Sequence, residues 1–374
     1  MSGAAQQRPR HCSFLVPGDL ATRTGGYIYD RRIIDGLRAL DWQVDVHALG
    51  DGFPAPDAAA LAQAQAVVEA LPDDTLAVAD GLAFGVLDGL AQAHARRLRW
   101  VALVHHPLAL ETGLDQARRA ALQGSERRAL HAARGVIVTS PFTARSLAAD
   151  YGVAAERIAV VEPGTDPRPP ATGSQASEAL QLLCVATLTP RKGHALLVQA
   201  LAGLQDRRWT LHCAGSLTMD AACAQAVRQA IDAQGLQARI VLHGELDDAR
   251  LRKLYDAADA FVLPSFHEGY GMALAEALAH GLPVISTHAG AIADTVPAEA
   301  GALVPPGNQE ALRAVLQRLL DDAAWRQQLR AGARSARQRL PSWQHSSIRF
   351  SDALMRTIAD NNSNDNKMGS AGRT

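Results

Sequence analysis

At 374 residues, the chain has the length of two domains of ordinary size. With 48% hydrophobic residues, 20% charged residues and a net charge of -1, it reads as a globular protein without the bulk positive charge that nucleic-acid binding needs. Four scattered cysteines with no CxxC pair, a polar start that lacks a signal-peptide pattern, and no apolar run near the ~20 residues of a membrane span exclude the disulfide-rich secreted and membrane-spanning classes, so a cytoplasmic protein is expected.

The first half alternates strand and helix. A strand over His11 to Pro17 leads through a polar loop, residues 19–24, to the pair Gly25-Gly26 and an amphipathic stretch ending near Leu40. Short apolar runs follow at Val44 to Leu49, Leu76 to Asp80, Trp100 to His105, Val136 to Ser140 and Ile158 to Glu162, separated by segments with apolar residues at helical spacing. Such βαβ alternation predicts parallel strands with helices on both faces.

The stretch PGTDPRPPATGSQAS, residues 163–177, breaks this pattern and has the composition of a linker. Alternation resumes with runs at Leu182 to Ala186, Thr210 to Ala214, Ile240 to His243, Ala260 to Pro264, Val284 to Thr287 and Ala302 to Val304, and three helical segments follow, the last from near Trp343. The predicted organisation is an N-terminal Rossmann-like domain over 1–165, a linker over 166–178, a C-terminal Rossmann-like domain over 179–340, a helix over 341–360 returning to the first domain, and a disordered polar tail over 361–374. Two doubly wound α/β domains facing a central cleft would present the carboxyl ends of both sheets to a ligand.

The densest chemistry lies in FVLPSFHEGYGMALAEALAHGLPVIST, from Phe261 to Thr287. In one continuous helix Glu268 and Glu276 would stand about 12 Å apart, too far to grip one atom. A break at Gly269 and Gly271 instead leaves Glu268 in a loop and Glu276 in the second turn of a helix opening at Met272, so the two carboxylates would meet different parts of a long ligand. The glycines admit close backbone approach, and the helix start offers free N–H groups to a diphosphate. Lys192 is one of only three lysines, beside Lys253 and Lys367, among 37 cationic residues.

This segment resembles the signature of retaining glycosyltransferases of family 4 (glycosyl transferases group 1), which have the GT-B fold. The motif reads here as Glu268-Gly269-Tyr270-Gly271, then Glu276, then Gly281-Leu282-Pro283-Val284. The likeness extends to LCVATLTPRKGHALLVQAL, where Lys192-Gly193 matches the loop that meets the donor diphosphate, and to VVEPGTD and the unit from Ser125-Glu126 to Thr139-Ser140. It covers most of the chain from Phe14 to Phe350 and is weakest between Gly50 and Arg99. One departure stands out: the family's arginine five residues before the lysine is Thr187 here, with Arg191 next to the lysine as the alternative cation.

The resemblance implies transfer of a hexose from a nucleotide-diphosphate sugar to an acceptor with retention. Lys192 and Arg191 would face the diphosphate. Glu268 would take hydroxyls of the donor sugar, Glu276 the ribose, and His105 would reach the transferred sugar. Gly25, Gly26, Gly269, Tyr270, Gly271 and Met272 would line the donor. No D-x-D triplet occurs, and no third ligand at recognisable spacing accompanies His105 and His106, so neither a metal nor another cofactor is expected. A nucleotide-sugar epimerase of the same fold and a non-catalytic sugar-nucleotide-binding protein are the alternatives.

Each of these residues also has a plainer reading. Gly-Gly before a helix is ordinarily a turn, and Glu276 or Lys192 can be a solvated surface charge. Residues 94–134 hold eight arginines against three acids, which is a common helix surface or else a contact with an anionic inner-membrane surface. The acceptor, whether a lipid-linked glycan, a polysaccharide or a small metabolite, is not written in the sequence.

Overall fold

The computed structural model describes residues 10–174 and 179–371. Two compact units divide the chain: unit 1 comprises Met1–Leu110, Leu114–Pro163 and Trp343–Thr374, and unit 2 comprises Glu111–Gly113 and Gly164–Ser342.

Unit 1 is built on a six-stranded parallel sheet of β1 (His11–Val16), β2 (Gln43–Ala48), β3 (Leu76–Asp80), β4 (Arg99–Val104), β5 (Gly135–Val138) and β6 (Ile158–Val160), in the order β2-β1-β3-β4-β5-β6. Unit 2 repeats the plan with β7 (Leu180–Val185), β8 (Trp209–Ala214), β9 (Ile240–Gly244), β10 (Ala260–Leu263), β11 (Val284–Thr287) and β12 (Gly301–Val304), in the order β12-β11-β10-β7-β8-β9. Each of the apolar runs read from the sequence falls on one of these strands. Helices on both faces bury the central strands, which is why β3, β5, β10 and β11 read as near-continuous apolar runs with every residue buried.

The strand orders fix where a ligand can be received. In unit 1 the sheet is wound one way from β1 to β2 and the other way from β3, so the switch lies between β1 and β3. In unit 2 it lies between β7 and β10. Open parallel sheets bind ligands beyond the carboxyl ends of the strands at such a point, because the two connecting loops diverge there.

The segment expected as a linker over 166–178 is held to unit 2 as far as Gly173. Ala171 N donates to His280 O at 2.7 Å, and the amides of Thr172 and Gly173 reach Asp256 O at 3.0 and 2.9 Å. Residues 175–178 lie outside the described residues. Pro and Gly mark irregular backbone, but they do not decide whether that backbone is packed.

The helix Trp343–Ala371 closes the described chain, and of the expected tail, residues 372–374 lie outside the described residues. The helix is anchored in unit 1 by its first turns: Phe350 stacks on Phe14 at 6.0 Å, and Trp42 Nε1 donates to Ser351 Oγ at 2.9 Å. Gly36 permits the close approach, since a Cβ there would overlap Ser347 Oγ.

Candidate functional site

In unit 2 the loops after β7 and β10, the two strands flanking the switch, bring Lys192 and Glu268 together. After β7 the chain makes a 3-10 turn, Pro190–Lys192, and then Gly193 at φ 72°. A Cβ at Gly193 would clash with the Pro264 carbonyl, so glycine lets the two loops touch. Phe266 N donates to Arg191 O at 2.7 Å and completes the loop pairing.

The side chains form a compact charged group. Lys192 Nζ lies 2.6 Å from Glu268 Oε1, the same oxygen that accepts from Ser265 Oγ at 2.6 Å. Arg191 Nη1 stands 3.6 Å from Glu268 Oε2 and donates to His267 O at 2.9 Å, while its Nε pairs with Glu111 Oε1 at 3.0 Å. Burial pushes the Glu268 carboxyl up. The charges of Lys192 and Arg191, with hydrogen bonds from Lys192 and Ser265, outweigh burial and hold it below the ordinary carboxylate range. Burial lowers the Lys192 ammonium against the opposing pull of Glu268. Lys192 has three donors and directs one to Glu268.

Beyond Glu268 the loop is pinned by its backbone. Ala291 N donates to Glu268 O at 2.9 Å, and the Tyr270 carbonyl accepts from Thr295 Oγ1 at 2.6 Å. Gly269 is half-buried and Gly271, at φ 90°, opens the helix Met272–Ala279. Most long helices here are capped by side chains, for example by Asp115, Ser140 and Asn308, but those starting at Gly25, His194 and Met272 are not. Their first N–H groups lack a side-chain acceptor and favour an anion. Glu276, in the second turn, is 3.9 Å from Arg168 Nη2 and accepts from the Tyr255 hydroxyl at 3.4 Å. Burial raises its carboxyl, and Arg168 and Tyr255 oppose this.

In unit 1, Gly25 and Gly26 begin the helix Gly25–Arg38, and Gly26 lies against the imidazole of His105, where a Cβ would stand 3.3 Å from Cδ2. His105 follows β4. Its Nε2 is 3.2 Å from Asp30 Oδ1 and 3.3 Å from Asp80 Oδ2.

Of the residues singled out in the sequence, Lys192, Arg191 and Glu268 meet in one charged group, Glu276 stands with Arg168 and Tyr255, and His105 lies against Gly26 in unit 1. Sequence reasoning did not single out Ser265, Arg168, Tyr255, Asp30 or Asp80. Ser265 directly precedes the motif loop and Arg168 follows the Pro-Gly-x-Asp turn, so both carried a positional signal. Asp30 and Asp80 carried none. They also correct the argument that His105 has no further ligand nearby: Asp30, Asp80 and His105 offer atoms within 4.8 Å of one another, as do Cys184, His194 and Cys213 beneath the Lys192 loop. Both carboxylates already flank Nε2, however, in hydrogen-bond geometry.

The arginine-rich region is largely engaged within unit 1. Arg97 bonds Val68 O and Leu71 O, Arg99 faces Asp74 at 3.5 Å, Arg118 reaches Pro54 O at 3.0 Å, and Arg128 pairs with Asp88 at 2.6 Å. Among the described residues, no helix is long and apolar enough to cross a membrane.

Two family descriptions match the chain: "Glycosyltransferase Family 4" over residues 25–168 and "Glycosyl transferases group 1" over residues 179–322. The MMP alpha-(1->4)-mannosyltransferase of Mycolicibacterium hassiacum is 26% identical over 310 residues, covering 78% of this chain and 73% of the relative. The 2-deoxystreptamine glucosyltransferase of Streptomyces kanamyceticus is 29% identical over 290 residues, covering 71% and 73%. Among solved structures, the sucrose-phosphate synthase of Thermosynechococcus elongatus superposes with a TM-score of 0.80 at 24% identity, covering 93% of this chain and 100% of the other. Anabaena HepE in complex with UDP and glucose gives a TM-score of 0.74 at 18% identity, covering 92% and 100%.

Proposed function

Because the chain belongs to the family-4 glycosyltransferases (glycosyl transferases group 1), a family of GT-B fold, we propose that it transfers a hexosyl group from a nucleoside-diphosphate sugar to an acceptor with retention of anomeric configuration and without a metal ion. The observation that carries this reading is the Lys192–Glu268 pair at the β7/β10 switch, next to an uncapped helix start.

As the glycosidic bond breaks, negative charge gathers on the departing diphosphate. Lys192, Arg191 and the N–H groups that follow Gly271 supply preorganised positive potential there, and no D-x-D triplet offers a metal clamp in their place. Glu268 Oε2, not engaged by Lys192 or Ser265, accepts hydroxyls of the transferred sugar. Glu276 accepts the ribose hydroxyls, with Arg168 and Tyr255 fixing its rotamer. Retention then follows from attack on the face the diphosphate leaves, with no covalent protein intermediate. The bound UDP in HepE supports a nucleotide site in a protein of this fold.

The test is a thermal-shift panel of UDP, GDP, ADP and their sugars, followed by NMR of the product formed from the stabilising sugar. A ligand at about 100 times its Kd adds about 2.7 kcal/mol. A product of inverted anomeric configuration overturns retention. Isomerisation of the free donor without acceptor overturns transfer.

A further inference from the structure

The imidazole of His105 is enclosed by acid. Asp30 comes from the second turn of the helix that starts at Gly25, and it is wholly buried. Asp80 ends β3, is 4% exposed, and also accepts from Leu82 N at 2.7 Å. Both carboxylates address the same ring nitrogen, Nε2, at 3.2 and 3.3 Å. Asp30 Oδ2 has no hydrogen-bond partner. Tyr29 packs edge-on against the ring at 5.4 Å, and Gly26 closes the Cδ2 side. Thr139 Oγ1 holds the His105 carbonyl at 3.1 Å.

A ring nitrogen between two ionised carboxylate oxygens carries a proton, because a lone pair there would face two acceptors. Negative charge on the acids enclosing the ring also favours a second proton on it. The outer nitrogen, Nδ1, has no protein partner among the described residues, and the side chain is 20% exposed.

We propose that Asp30 and Asp80 are positioning residues that keep His105 a doubly protonated cation, with Nδ1–H a permanently charged donor at the carboxyl end of the unit 1 sheet. His105 is then not a general base. The turnover arm of its test rests on the proposed transferase function, whereas the charge state belongs to the free enzyme. Burial would lower the imidazole; the hydrogen bonds and charges of Asp30 and Asp80 overcome it and raise the group to about 10. Burial and the Asp80 charge raise Asp30 to about 7. Tyr27 and Tyr29 on the same helix are pushed up by burial, Tyr27 to about 12, and stay neutral.

The experiment is nitrogen-15 NMR of histidine-labelled, ligand-free enzyme. His105 is assigned among the 13 histidines by comparison with His105→Gln. Both ring nitrogens of His105 should remain protonated at pH 8 in the wild type. Asp30→Asn and Asp80→Asn should each lower its midpoint by roughly 1–3 units. With the preferred donor, Asp30→Asn should lower kcat more than KM at pH 8 and recover at lower pH, as the imidazolium refills. A wild-type midpoint near 6.5 overturns the proposal, as does a loss in Asp30→Asn that is the same at every pH. So does displacement of the Nε2 proton by millimolar magnesium or manganese, which would make the group a cation site. Absence of transferase turnover beside a persistent imidazolium would sink the functional reading alone.

Discussion

Lys192 and Glu268 stand 76 residues apart in sequence and 2.6 Å apart in space, as a nearly enclosed ion pair with side-chain exposures of 18% and 8%. Removing one partner strands the other. Lys192→Ala should therefore lower turnover by about 100–1,000-fold through the lost contact to the leaving diphosphate. It should also destabilise the fold by about 3 kcal/mol, since Glu268 keeps only the more distant Arg191 as a cationic partner beside the Ser265 hydroxyl. The double variant Lys192→Met/Glu268→Gln should regain most of the stability and none of the activity. Chemical denaturation beside steady-state kinetics separates the two effects. A folded Lys192→Ala enzyme within a few-fold of wild-type turnover would remove the diphosphate from this loop.

Metal independence is part of the proposed reading, in which Lys192 and Arg191 take the role of a clamp ion. Transfer should survive EDTA with little loss. Activity abolished by chelation and restored by manganese or magnesium would reassign the charge on the diphosphate to an ion.

Glu276, in the second turn of the helix Met272–Ala279, is held by Arg168 and Tyr255. Glu276→Gln should weaken binding of the bare nucleotide diphosphate by about 10–100-fold, the size of a lost charge-assisted hydrogen bond. Arg168→Ala should weaken it less, because it frees a rotamer and removes no ligand contact. Calorimetry with nucleotide alone reads both. Unchanged affinity in Glu276→Gln would separate this carboxylate from the ribose.

Glu126 offers a pH test away from the site. It is 1% exposed, its Oε2 accepts from Leu108 N at 2.9 Å, and burial raises its carboxyl to about 8. The folded state then holds this proton more tightly than the unfolded chain, whose glutamate titrates near about 4.3. Between those values the native state binds more protons, so this residue's contribution to stability falls as pH rises from about 4.3 toward 8. Glu126→Gln should match wild type near pH 5 and exceed it by about 1–3 kcal/mol at pH 8. Parallel stability curves for the two proteins across that range would refute the assignment.

The sequence by itself determined the twelve described strands and the residue types of the loop that follows β10. A parallel strand buried on both faces must be written as an apolar run, and a loop that admits a phosphate must be written with glycine. Those requirements are local, so Val284–Thr287 or Gly269 to Gly271 announce themselves. Tertiary structure alone decided which charges meet. Asp30 is an ordinary acid on an amphipathic helix and Asp80 an ordinary strand end, until the order β2-β1-β3-β4 sets β3 between β1 and β4 and brings both carboxylates to His105. Likewise, composition marked residues 166–178 as irregular, whereas hydrogen bonds to Asp256 and His280 hold Ala171 to Gly173 in unit 2. Periodicity encodes what each segment buries. Electrostatic partners depend on separations of 75 or 76 residues that only the winding of the sheet closes.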